Sequence, residues 1–170
     1  MTYYADMSSD SMWWFTGEPL CSIGWLNPAY EYPVDTLSPG VWDVLSVRLS
    51  AARRFLCHRG LHECEYCWQN TCSGALLFPS VDLQKLFIAP PMISHYIEAH
   101  SYFPPEEFVE AVLSCPQHDS DEYCDLLEDM LEGRPDASNF LEQEMLSRAA
   151  RIRRNDYLSS LRASGDKWAQ

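Results

Sequence analysis

The sequence predicts an α+β fold with a small treble-clef-like zinc core, made of a knuckle, a β-hairpin and a helix. We expect α-helices to surround this core and a helical extension to follow it. Three observations lead to this prediction. Two pairs of metal-binding residues occur at short spacings, two short apolar segments lie between the pairs, and several other stretches repeat apolar residues at helical spacing.

The two residue pairs have the spacing of a zinc site. Cys64 and Cys67 form a C-x2-C pair, and His95 and His100 form an H-x4-H pair. Zinc in structural sites takes four N and S ligands in a tetrahedral arrangement, and a tight turn can direct two thiolates at one ion. The 27-residue gap between the pairs leaves room for a β-hairpin. The sequence therefore predicts one bound zinc ion.

Other residues near the first pair leave the ligand set open. His62 or Cys57 could replace one of the four predicted ligands, because both lie close to the C-x2-C pair. In a further interpretation, these residues are reduced core cysteines and surface histidines without a metal. The second pair carries its own constraint, because positions five apart on an ideal helix differ in direction by about 140°. The two histidines converge only if the last turn distorts, and Pro104 favours an early helix end because it disfavours helical conformation at Phe103.

The segment between the two pairs predicts a hairpin followed by a helix. Residues 74–78 and 85–89 are short apolar runs, and Pro79, Ser80 and Asp82 separate them. The double proline at 90–91 is suited to the first turn of a helix that carries the two histidines.

Helical spacing also predicts the elements outside this core. Ser38 and Pro39 form an N-cap and first helical position, so a core helix is expected to begin there. Further helices are expected from Pro104 to about Leu113, from Asp121 to Glu132, and from Asp136 to Leu161. We predict three regions: a flexible aromatic segment at 1–17, a zinc-centred α+β domain at 18–115, and an acidic-then-basic helical extension at 116–170, packed on the core.

Composition restricts the classes of partner and compartment. The chain has 170 residues, a formal net charge of −13 and a pI near 4.6, which opposes nonspecific binding to nucleic acid. Its apolar runs are too short to span a membrane, and it shows no basic-then-apolar secretory signal. Seven cysteines is an odd number, so we expect reduced thiols and a cytoplasmic location rather than a disulfide framework.

Two surfaces are candidates for contact with a partner. The predicted helix 121–132 is amphipathic and strongly acidic, and a patch of this kind speeds association with a basic protein surface. Three consecutive large aromatic residues near the N-terminus could anchor the contact. The predicted partner-binding residues are Trp13, Trp14, Phe15, Asp125, Glu128, Asp129 and Glu132.

Two segments of this chain resemble an uncharacterised bacterial family of small proteins. They read RGLHECEYC and IAPPMISHYIEAHSYFPPEEFVEAVL, and they match the family pattern RGxHxCxxC … AxPxxxxHYxxxHxYxPPxEF. The resemblance covers roughly residues 20–113. It implies a cytosolic, metal-binding, immunity-like domain and no known reaction. The chain departs from the family in its long tail after Cys115 and in a hairpin that lacks glycine-rich sequence.

Three functions from different classes follow from these observations. The first is an acidic zinc-stabilised module that binds another protein, such as an immunity-like inhibitor of a basic partner, and is not an enzyme. The alternative is a zinc-finger regulator or adaptor that contacts nucleic acid through the arginines near the C-terminus. The third is a zinc-dependent hydrolase or nuclease in which Glu63 or Glu65 acts as general base.

Overall fold

A computed structural model describes residues 3–10, 19–55, 60–132, 134, 137, 140, 148, 152–156 and 159. The chain divides into two compact units, Met1–Met130 and Leu131–Gln170. Most of the last predicted helix, 136–161, lies outside the described residues, although 152–156 are helical. In the described part of the chain, every helix is too short or too polar to cross a membrane.

The described elements form the predicted α+β architecture. Their bounds are β1 Leu20–Ser22, α1 Pro39–Ala51, β2 Leu61–Glu63, β3 Asn70–Cys72, β4 Leu76–Pro79, β5 Leu86–Ala89, α2 Ile93–His100, α3 Glu106–Ser114 and α4 Asp121–Leu131. A three-stranded sheet has the order β1-β5-β4, and a separate two-stranded sheet pairs β2 with β3. The predicted succession of a knuckle, a hairpin and a helix is present in that order.

The hairpin of β4 and β5 is the centre of the core, and it confirms the hairpin predicted from the two apolar runs. Its strands are antiparallel, with Leu76 opposite Ala89 and Phe78 opposite Phe87. Every residue of both strands is buried, so the apolar runs are continuous rather than alternating. Phe108 of α3 packs edge-on against both phenylalanine rings, at ring-centroid distances of 5.8 and 5.9 Å.

The N-terminal part of the chain completes the sheet. The strand β1 runs parallel to β5, with Leu20 opposite Leu86. Trp25 is 4% exposed and donates its indole N–H to the Ile88 carbonyl at 3.0 Å. A three-residue strand has too few positions to show an alternating pattern, so the sequence did not reveal this pairing.

Residues 3–10 hydrogen-bond to the core, which the predicted separation of 1–17 did not anticipate. Tyr4 and Ser8 form isolated β-bridges to Trp25 and Ser22. Between them, the Asp6 carboxylate accepts hydrogen bonds from the Gly24 N–H and from the hydroxyl of Tyr102, both at 2.8 Å. Gly24 has φ +69°, and a Cβ there would lie 3.0 Å from a side-chain carbon of Ile93. Only glycine adopts this positive φ and fits this close approach without strain.

Helix α1 begins where the sequence predicts, at Pro39 after Ser38. The Ser38 side chain makes no capping hydrogen bond, and its carbonyl instead accepts the N–H groups of Val41 and Trp42. Near the other end, the guanidinium of Arg48 donates to the Cys115 carbonyl at 2.7 Å. Arg48 therefore satisfies a backbone carbonyl at the end of α3 that has no partner within that helix.

A buried histidine closes the core next to this contact. His118 is 7% exposed, and its ring stacks on Tyr123 at 4.1 Å. Its Nδ1 accepts the Arg53 backbone N–H at 3.1 Å, so the ring proton of the neutral form lies on Nε2, which is 3.7 Å from the Cys115 Sγ. Burial lowers the pKa of His118 from its usual value to about 4.

The lowered pKa predicts how stability changes with pH. The unfolded chain takes up the His118 proton near pH 6.5, whereas the folded chain resists it until about pH 4. The contribution of His118 to the free energy of unfolding is therefore fully present above pH 6.5. It decreases by about 3 kcal/mol as the pH falls to 4. His118→Asn keeps an acceptor for Arg53 and removes the titrating ring, so we expect it to remove that part of the pH dependence.

Urea unfolding of wild type and His118→Asn at several pH values between 4 and 7 measures this difference. Other titrating groups are common to both proteins and cancel in the comparison. Parallel stability curves for the two proteins across this range would contradict the assignment.

Candidate metal centre

The first predicted ligand pair lies in the turn that joins β2 to β3. The Cys64 N–H donates to the Gln69 carbonyl, and the Trp68 N–H donates to the Cys64 carbonyl, both at 2.8 Å. Trp68 has φ +64°, a left-handed conformation that lets the chain reverse within a few residues. These bonds close a compact knuckle in which Cys64 and Cys67 direct their sulfurs to the same side.

The second pair converges because α2 ends in a widened turn. The N–H of Ser101 donates to the carbonyl of Tyr96, five residues earlier, instead of four. A wider turn rotates less per residue, so His95 and His100 come close to one face of the helix. Their Nε2 atoms are 3.1 Å apart.

The distortion predicted for the last turn is present, and α2 ends at His100, before Phe103 and Pro104 as the sequence predicts. Ser101 adopts a left-handed conformation with φ 53° and ends the helix. Pro104 lies three residues further on, and Phe103 before it donates its N–H to the Pro33 carbonyl.

The four predicted ligands lie close enough to hold one metal ion. Their donor atoms all lie within 4.8 Å of one another. Cys64 Sγ is 3.3 Å from His100 Nε2, and Cys67 Sγ is 3.2 Å from His95 Nε2. Around a tetrahedral zinc ion, neighbouring N and S donors are about 3.3–3.8 Å apart. The three closest donor pairs, at 3.1–3.3 Å, are therefore near the spacing that a tetrahedral ion requires.

Burial differs between the four side chains. Cys64 is fully buried, Cys67 is exposed, and the two histidines are half-buried. Burial raises the pKa of the Cys64 thiol, and burial together with the neighbouring His100 lowers the pKa of His95. A bound cation would stabilise the Cys64 thiolate and so oppose the rise of its pKa. The lowered pKa of His95 keeps that ring in the neutral form that binds metals.

Aromatic rings hold the ligands in place. Tyr66, between the two cysteines, packs on the His100 ring at 5.0 Å and edge-on to Tyr96 at 6.2 Å. Tyr32 donates its hydroxyl to the His100 carbonyl at 3.2 Å. Sequence reasoning missed both tyrosines. The position of Tyr66 inside the C-x2-C pair was the one available signal, since it places the residue next to both cysteines in sequence.

His62, the first alternative ligand, lies outside the group of four. It packs parallel to Trp25 at 6.5 Å, and its Nε2 is 3.4 Å from the Tyr96 hydroxyl. Burial lowers its pKa. His62 therefore joins β2 to α2 through packing and a polar contact. Cys57, the second alternative, lies outside the described residues.

The other predicted site residues fall into three groups. Trp13, Trp14 and Phe15 lie outside the described residues. The two general-base candidates differ, because Glu63 is exposed whereas Glu65 accepts a hydrogen bond from the Asn27 amide at 2.8 Å. The acidic residues lie on and just after α4, where Asp125, Asp129 and Glu132 are exposed and Glu128 is half-buried.

Comparison with known proteins identifies a family, but no activity is known for that family. No curated protein and no solved structure matches this chain. Residues 2–113 match one family and include all four clustered Cys and His residues. The match agrees with the resemblance to an uncharacterised family and begins nearer the N-terminus than the roughly 20–113 expected. The chain belongs to the family described as Domain of unknown function (DUF7919).

Proposed function

We propose that this protein is a zinc-stabilised module that binds another protein. The observation that carries the zinc site is the convergence of two sulfur and two nitrogen donors within 4.8 Å. Thiolate and imidazole ligands in a tetrahedral set are the donors that zinc prefers, whereas calcium and magnesium require oxygen ligands. The metal is therefore expected to be zinc.

The zinc is expected to be structural rather than catalytic. Four protein ligands fill a tetrahedral zinc ion and leave no position for water or substrate. The ligand pairs also come from separate elements, the β2–β3 knuckle and α2. An isolated two-stranded hairpin is only marginally stable in water, so an ion that joins it to a helix contributes directly to folding. We therefore propose a binding protein and not an enzyme.

The acidic face of α4 is the proposed contact surface. We define it as Asp125, Glu128, Asp129 and Glu132. The opposite side of the helix is fixed to the core, because the Tyr123 hydroxyl donates to the Leu77 carbonyl at 2.8 Å. With a net charge of −13 on the whole chain, this face is suited to a basic surface on the partner.

We propose that the partner is a basic effector protein and that this module masks it, an immunity-like role in the cytoplasm. The described cysteines form no disulfide with one another, which agrees with a reducing compartment. We propose that Trp13, Trp14 and Phe15 add apolar anchors to the contact.

The zinc site predicts one equivalent of zinc per chain. Cys64→Ser removes a buried ligand and should abolish stoichiometric zinc. Cys72→Ser changes an exposed cysteine outside the cluster and serves as the matched control. Free zinc at about 100 times Kd stabilises a folded protein by about 2.7 kcal/mol. Loss of that term should lower Tm by roughly 5–11 °C in a chain of this length.

Elemental analysis and calorimetry of the three purified proteins measure both effects. Wild-type protein with well below one zinc per chain, or equal zinc in Cys64→Ser and wild type, would contradict the site.

The contact surface predicts salt-dependent association with a partner identified by affinity capture from the source cells. Neutralising the acidic face with Asp125→Asn, Glu128→Gln, Asp129→Asn and Glu132→Gln should lower the association rate at low salt by about tenfold or more and flatten its salt dependence. The dissociation rate should change less, because exposed charges act mainly on encounter.

Surface plasmon resonance at 0.05 to 0.5 M salt compares this variant with a matched control. The control removes four exposed acidic residues elsewhere, through Asp35→Asn, Asp43→Asn, Glu106→Gln and Glu110→Gln. Equal association rates for both variants would show that only total charge matters and would overturn the assignment to α4.

A further inference from the structure

We propose that Cys67 is a modification site for peroxides, and that its oxidation releases the metal ion and leaves a Cys64–Cys67 disulfide. This inference is supported by two thiols of one ligand cluster that differ in exposure, because Cys67 is exposed and Cys64 is fully buried. The inference rests on the proposed zinc site and adds a means of regulating it.

Exposure determines which sulfur reacts first. Cys67 is exposed to solvent, whereas the Cys64 side chain is 0% exposed. Oxidation of cysteine follows thiolate character and accessibility. Zinc coordination holds both sulfurs as thiolates, so accessibility separates them. A small oxidant such as hydrogen peroxide can therefore reach the Cys67 sulfur while Cys64 is still covered.

The reaction balances with hydrogen peroxide as the oxidant. The Cys67 thiolate attacks one peroxide oxygen, the O–O bond breaks, and a sulfenic acid and a hydroxide ion form. The Cys64 thiolate then attacks the Cys67 sulfur and expels a second hydroxide as the S–S bond forms. Two thiolates have lost two electrons in total, and one peroxide has been reduced to two hydroxide ions.

The knuckle brings the two sulfurs into one small cluster. Both belong to the cluster whose donor atoms lie within 4.8 Å of one another. The backbone bonds from Cys64 to Gln69 and from Trp68 to Cys64 fold both cysteines into one tight turn. A disulfide requires an S–S distance of about 2.05 Å, which these side chains can reach without separation of β2 from β3.

Oxidation changes the knuckle and leaves the rest of the core in place. With both sulfurs in a disulfide, only two imidazoles remain, and the ion has lost half of its ligands. The three-stranded sheet contributes none of the four ligands. The Tyr66–Tyr96 packing and the His62–Tyr96 contact still join the hairpin to α2, although more weakly than a shared metal does.

Treatment of the zinc-loaded full chain with hydrogen peroxide tests this inference. Zinc release is followed with a chromogenic zinc indicator, and disulfides are mapped by mass spectrometry. We expect release of one zinc per chain, formation of the Cys64–Cys67 disulfide, and recovery of zinc binding after a thiol reductant and zinc are added. Zinc retention under peroxide, or release without this disulfide, would overturn the inference.

Two variants sharpen the assignment. Cys72→Ser removes the other exposed cysteine of the hairpin, so release should stay within about twofold of wild type, and protection by this change would overturn the role of Cys67. Cys67→His keeps four zinc-binding side chains and removes the reactive sulfur, so release should be at least about tenfold slower. The zinc content before oxidation tests the metal site separately, because a chain without zinc contradicts both proposals, whereas zinc that resists peroxide contradicts only this one.

Discussion

The convergence of two distant ligand pairs on one point is the constraint on which the structure of the β2–β3 hairpin depends. The pairs belong to two separate elements, the knuckle and α2, and the ligand atoms of Cys67 and His95 meet across 28 positions in sequence. Burial of Cys64 opposes a lone thiolate there, since a charge without a partner is costly away from water. A cation bound by the four side chains would offset this cost and link the knuckle to α2.

The rest of the core positions α2 for that bond. In the buried sheet β5 lies between β1 and β4, and it leads directly into the turn before α2. The last turn of α2 is widened, which aligns His95 with His100, and Ser101 then ends the helix in a left-handed conformation. The same end of the helix is fixed by Tyr32, whose hydroxyl binds the His100 carbonyl. The apolar core therefore sets the direction of two ligands before any metal is bound.

Features encoded by local pattern were predictable from the sequence. The four clustered residues, the hairpin between them and the start of α1 at Pro39 all follow from spacing, turn residues and helical periodicity. Features that depend on contacts between distant parts of the chain were not predictable from the sequence. The parallel pairing of β1 with β5 spans more than sixty positions and involves only three residues. The contacts of Asp6 with Gly24 and Tyr102 leave no periodic trace, and the left-handed Ser101 gives no signal because serine is common in ordinary helix ends and turns.

X-ray absorption at the zinc edge tests the central claim most directly, because it reads the number and type of atoms around the ion in the intact protein. Coordination by the four clustered residues predicts two sulfur neighbours at about 2.3 Å and two nitrogen neighbours at about 2.0–2.1 Å. A shell of oxygen and nitrogen atoms alone, or one with three or four sulfurs, would contradict a site formed by Cys64, Cys67, His95 and His100.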